Sequence, residues 1–81
     1  MKIKLLFGGI YSELAKSDKY EIEINDNIIN IEKLLLVIKE KFNIDIKDDV
    51  DRGNAIVLIN GRNIKAIGEF KINDGDFISI I

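Results

Sequence analysis

Neither cysteine nor histidine occurs in the 81 residues. The first absence removes disulfides, thiolate metal sites, iron–sulfur clusters and cysteine nucleophiles together. The second removes the commonest metal ligand and the side chain that exchanges protons near neutral pH. Long apolar runs are missing too, and nothing approaches the roughly 20 residues that span a bilayer. The opening Met1-Lys2-Ile3-Lys4 alternates at once, unlike a signal peptide. A cytoplasmic protein is expected. Charge is also unremarkable: acidic and basic residues are interspersed around a net charge of −2, with no basic stripe to bind nucleic-acid phosphates.

What is present is apolar substance and period. Apolar residues make up 47% of the chain, enough for one core, and Met1 to Ile81 is expected to form a single domain. Lys2–Phe7 alternates, with Ile3, Leu5 and Phe7 on one side and Lys2, Lys4 and Leu6 on the other. After Gly8-Gly9 and a long connection, Tyr20–Ile24 alternates again, so the two runs predict an N-terminal hairpin. From Asn30, a good N-cap, the period changes. Ile31, Leu34, Leu35, Ile38 and Phe42 form one helical stripe, which Asn43 can end.

An acidic stretch from Asp45 to Asp51 reads as a solvated loop. Ala55–Ile59 reads as a central strand, and Asn60-Gly61 as a type I′ turn because both residues tolerate positive φ. A brief strand near Asn63–Lys65 is expected to return beside it. Gly68 breaks the chain, Asn73-Asp74-Gly75 turns it, and Asp76–Ile81 closes it as a strand. One sheet with a helix across one face follows. The predicted fold class is α+β. It is a β-grasp: a mixed sheet of four to five strands with one main helix, the first and last strands parallel and adjacent.

No catalytic, cofactor-binding or metal-binding residue emerges. Asp45, Asp49 and Asp51 are spaced superficially like a calcium loop. Counting from Asp45, however, the position that needs glycine is Val50 and the one that needs glutamate is Ile56. Gly8-Gly9 lacks the following helix signature of a phosphate loop. Ser12, Ser17 and Ser79 have no histidine to activate them. One surface does stand out. A single helix covers one sheet face, so Leu6, Phe77, Ser79 and Ile81, with part of Ala55–Ile59, are left on the other. An exposed apolar patch of this kind marks protein contacts, although isolated surface apolar residues are common on small proteins.

Three stretches resemble the ubiquitin-related modifier family, the relatives of the MoaD and ThiS sulfur carriers. Phe7-Gly8-Gly9 leading to Glu13-Leu14 is similar to that family's start. Asn30–Lys39, with its Leu34-Leu35 pair, is similar to its helix. Ile56–Asn60, then Gly68-Glu69, then Asp74 and Asp76, follow in the family's order. The resemblance implies a carrier or modifier that enzymes act upon. No cofactor would be bound, and ATP would be used by an adenylyltransferase or sulfurtransferase partner. In that family a Gly-Gly tail past the last strand is adenylated, and its thiocarboxylate then serves tRNA thiolation, molybdopterin or thiazole synthesis, or joins the protein to lysines.

The sequence departs from the family at Ile81, the tail attachment point, beyond which no Gly-Gly is present. Either a tail follows Ile81 or the chain is a relative that no longer carries sulfur; the matches favour the tail. The alternative function is a non-covalent binding module or a small subunit of the molybdopterin-synthase kind. Ferredoxin-type electron carriers are excluded by the lack of cysteine. Direct nucleic-acid and membrane partners are not expected, and a monomer is.

Overall fold

The computed structural model describes residues 1–65 and 71–81. The expected break at Gly68 and the Gly68-Glu69 match lie outside them. β1 spans Lys2–Phe7 and buries Ile3, Leu5 and Phe7 while Lys2, Lys4 and Leu6 turn to the other side. The connection that follows is not open. Gly9–Ala15 forms α1, which buries Tyr11 and Ala15 one helical turn apart. Ile10 and Leu14 form a second apolar pair at the same spacing but stay exposed. Two competing stripes in seven residues hide the period that would announce the helix.

β2, Lys19–Glu23, runs antiparallel to β1 and sets Tyr20 opposite Leu5 and Ile22 opposite Ile3. β3, Ile28–Asn30, leads into α2, Ile31–Phe42. The Asn30 side-chain oxygen accepts from the Lys33 amide at 2.8 Å, closing one of the free N–H groups of the first turn. At the other end Asn43 takes φ +57, and its amide donates to the Lys39 carbonyl at 2.9 Å. Leu34, Leu35, Val37 and Ile38 are buried, while Ile31 and Phe42 pack at the rim of the core.

The acidic stretch is also a helix rather than a solvated loop. α3, Ile46–Asp51, buries Ile46 and Val50 at i and i+4, leaves Asp48 and Asp51 exposed and holds Asp49 half-buried. Five acidic or basic neighbours mask that pair in the sequence. β4 is Val57–Ile59 and β5 is Arg62–Asn63, joined by Asn60 at φ +50 and Gly61 at φ +84, as the turn chemistry predicts. The return strand therefore starts one residue before the predicted Asn63 and is shorter. β6, Lys71–Asn73, pairs with β3, and β7, Phe77–Ile80, closes the chain.

The strand order is β2-β1-β7-β4-β5, with β1 and β7 parallel and every other neighbour antiparallel. The sheet thus has the five strands and the central parallel pair of the predicted β-grasp. The β3–β6 ribbon is an addition, because its pairing of Ile29 with Ile72 leaves no local signal. Ile3, Leu5, Phe7, Ile78, Ile80, Val57 and Ile59 line the helix-facing side and join Leu34 and Ile38 in one cluster. That side is closed. The opposite side of the sheet carries no helix from this set.

Candidate functional site: the outer sheet face

Because side chains alternate along each strand, burying Ile78 and Ile80 commits Phe77 and Ser79 to the outer face. Pairing then arranges them in rows. Leu6, Ser79 and Leu58 stand abreast on β1, β7 and β4, and Asn63 extends the row on β5. Lys4 and Phe77 form the next row, with Glu21 beyond Lys4 on β2. On the far side of the central row lie Ile81 and Ile56. Each donates its amide to the other's carbonyl, at 2.9 and 3.0 Å, which extends the β4–β7 ladder by one pair.

These placements gather the four residues singled out in the sequence onto one surface, but in different degrees. Phe77 and Ile81 are 41% and 56% exposed and Leu6 is half-buried. Ser79 faces outward as expected and yet is only 8% exposed, which corrects the picture of an open serine. Its side chain is the shortest in its row and sits in the central strand, where Leu6 and Leu58 cover it from both sides. Among the described residues the Ser79 hydroxyl makes no hydrogen bond. Two further members are Ile56, 46% exposed, and half-buried Leu58. Their signal was the unbroken Ala55–Ile59 run, whose alternate residues must emerge on this face.

Phe77 is held from behind. The Asn60 side-chain oxygen accepts from the Phe77 amide at 2.9 Å, and the Asn60 amide donates to the Phe77 carbonyl at 2.8 Å. The Asn60 side-chain amide also donates to Asp76 at 3.1 Å. The β4–β5 turn thus fixes the backbone on which the exposed ring stands. Beside the ring, a shallow hollow of about 270 Å³ is lined by Lys4, Leu5, Lys19, Tyr20, Glu21 and Phe77. Among the described residues none of Lys4, Lys19 and Glu21 forms an ion pair.

Glycine matters at one nearby position. Gly9 has φ +53, in the left-handed region that other residues enter at a cost, and a Cβ there would meet nothing within 4 Å. Backbone conformation, rather than crowding or a ligand, accounts for it. Gly8 is extended, and its amide donates to the Ile80 carbonyl at 2.8 Å beside Ile81. Elsewhere the Tyr11 hydroxyl donates to Asp49 Oδ2 at 2.6 Å and ties α1 to α3. Burial first, then that hydrogen bond and the Asp49 charge, push the Tyr11 hydroxyl up to about 12. Among the described residues no group of three or more acidic side chains is gathered as a metal would require, and no helix is long and apolar enough to cross a membrane.

No protein-family model matches the sequence, and no curated protein does. Solved structures do match. A candidate molybdopterin converting factor, subunit 1, of Pyrococcus furiosus superposes with a TM-score of 0.75 at 19% identity, covering 99% of this chain and 94% of that one. The crystal structure of small archaeal modifier protein 1 of Haloferax volcanii gives 0.76 at 17% identity, over 100% and 93%. The solution structure of that protein from Methanosarcina acetivorans gives 0.71 at 20% identity, over 98% and 89%. These are the kinds of protein to which the three sequence stretches pointed. The chain has the ubiquitin-like β-grasp fold, in the form shared by MoaD-like subunits and small archaeal modifiers.

Proposed function

We propose that this chain is a sulfur carrier and ubiquitin-like modifier, acted on at its C-terminus by an adenylyltransferase that docks on the outer sheet face. The observation that carries the reading is the apolar row of Leu6, Ser79 and Leu58. With Phe77 at one end and Ile56 and Ile81 at the other, it leads directly to the point from which a tail would depart. A surface so placed lets an enzyme grip the domain while its active site takes the residues after Ile81. Docking and delivery then share one geometry.

The chemistry follows from the weakness of a carboxylate as an electrophile. Attack of the terminal carboxylate on the α-phosphorus of ATP expels pyrophosphate and leaves an acyl-adenylate. Sulfide-level sulfur supplied by a sulfur donor then attacks the acyl carbon, so that a C–S bond forms as the C–O bond to AMP breaks, giving the thiocarboxylate and free AMP. ATP is the enzyme's co-substrate in this scheme, and the carrier binds no cofactor. Glycines in the tail would let it thread a narrow site. Ile81 itself stays in the ladder, so the reading requires a Gly-Gly segment beyond it. tRNA uridine, a molybdopterin precursor, thiazole and protein lysines are the acceptor classes in this scheme.

The test is the intact mass of the protein purified from its native source. A Gly-Gly terminus carrying sulfur in place of one oxygen is the expected result; a mature chain ending at Ile81 overturns carrier chemistry. A second reading, a non-covalent small subunit using the same face, is favoured by the ladder bonds that hold Ile81 against the sheet. It predicts a stable stoichiometric complex whose formation needs no ATP.

A further inference from the structure

Asn60 is the only asparagine of the chain that glycine follows, and the pair makes the centre of the β4–β5 turn. That dipeptide has a chemistry of its own. Gly61 has no Cβ to shield its backbone nitrogen, which can attack the side-chain carbonyl carbon of Asn60 and close a five-membered ring. The new C–N bond forms as the bond to the side-chain nitrogen breaks. That nitrogen takes the amide proton and leaves as ammonia. Water then opens the succinimide at either carbonyl, giving aspartate or its isoaspartate isomer.

In the fold the same side chain is already committed elsewhere. Its oxygen accepts from the Phe77 amide at 2.9 Å, and its nitrogen donates to Asp76 Oδ1 at 3.1 Å. Asp76 is fixed in turn, since its Oδ2 accepts from the Asn73 amide at 2.8 Å. Both ends of the Asn60 amide are therefore tied to the start of β7, and ring closure onto Gly61 requires it to leave both partners. The product also fits worse than the reactant. An aspartate still accepts from the Phe77 amide but replaces the donor that met Asp76, so two carboxylates come face to face. An isoaspartate adds a methylene to the backbone of a two-residue turn, whose length sets the register of β4 and β5.

We propose that Asn60 is a self-deamidation site which the fold holds closed through Phe77 and Asp76, and that its conversion releases the β4–β5 turn from β7. A chain that stays folded keeps the amide. A chain that has unfolded acquires one negative charge beside Phe77, a lasting mark, and refolds with weaker support beneath the exposed ring. The lock acts whether or not an enzyme docks on the outer face.

The full chain is incubated in mildly alkaline buffer, folded and in urea, and the peptide carrying Asn60 is weighed for exchange of NH2 by OH. In urea Asn60 should convert ahead of every other asparagine. In the fold it should convert at least about tenfold more slowly, the factor that two net hydrogen bonds supply. Asp76→Ala removes one of the two partners and, held well below its unfolding transition, should react about threefold faster than folded wild type. Equal rates for folded and unfolded wild type overturn the proposal, as does an Asp76→Ala chain that reacts no faster than wild type.

The release is read separately on Asn60→Asp, which should lower the thermal midpoint by roughly 4–8 °C or more. Adding Asp76→Asn should restore most of that loss. It returns a donor opposite the new carboxylate while its own oxygen still accepts from the Asn73 amide. A wild-type midpoint for Asn60→Asp, or no recovery in the double variant, shows that conversion does not loosen the turn and sinks that half of the proposal.

Discussion

Tyr11 is buried with its hydroxyl on the Asp49 carboxylate, so ionising it sets two negative charges side by side with little water between them. The folded state therefore holds the phenolic proton up to about pH 12, whereas an unfolded tyrosine releases it near 10. Stability from this group is complete below about pH 10 and drains away as pH rises through about 12. Urea titrations across that window should show wild type losing stability faster than Tyr11→Phe. At pH 7 the variant should be weaker by about 1 kcal/mol, since it gives up the hydrogen bond while leaving Asp49 in contact with water. Asn30 makes a comparable contribution at the start of α2. Replacing it with alanine frees the Lys33 amide and should cost about 1 kcal/mol. In a domain of this size that is a fall of roughly 4–8 °C in thermal midpoint. Both residues announce their roles differently. Asn30 was legible because capping is a local bargain between neighbours in sequence, while Tyr11 and Asp49 are brought together only by the folding of two separate helices.

At the scale of elements, the long period of α2 and the alternation of β1, β2 and β7 carry over from sequence to structure almost residue for residue. Each of these elements repeats its apolar spacing often enough to outvote chance. The short helices do not. α3 shows a single buried pair, Ile46 and Val50, inside a run of carboxylates, and the charges dominate any local reading. The difference has a measurable consequence. If residues Ile46–Asp51 were a solvated loop, Ile46→Ala would be nearly neutral. With Ile46 fully buried the same change should cost about 2–5 kcal/mol, from lost burial and the cavity left behind. Chemical denaturation at neutral pH checks it directly. β3 and β6 went unannounced for another reason: three residues per strand carry too little pattern, and their partners lie far apart in the chain.

For the whole molecule, the consequence of the β-grasp order is a sheet closed on one side and, among the described residues, open on the other. Phe77→Asp and Leu6→Asp both place a charge on the open side without touching the core. Under the proposed carrier reading, each should abolish binding to an adenylyltransferase partner while leaving the circular dichroism spectrum native and the unfolding transition cooperative; recovery of that partner equal to wild type would count against the face. The outer face itself was partly legible, since alternation alone sends Leu6, Phe77, Ser79 and Ile81 to one side. What alternation cannot supply is adjacency. That Leu6, Ser79 and Leu58 form one row depends on the register of β1, β7 and β4, which joins residues from both ends of the chain. That Ser79 is covered depends on the bulk of those same neighbours. Composition excluded thiol and imidazole chemistry, and periodicity set the helix, the main strands and their inward faces, because these follow from local spacing. Tertiary structure alone decided the extra helices, the clamp of Asn60 on Phe77 and the cover over Ser79 at the centre of the open face, because each requires contacts between residues that the sequence keeps apart.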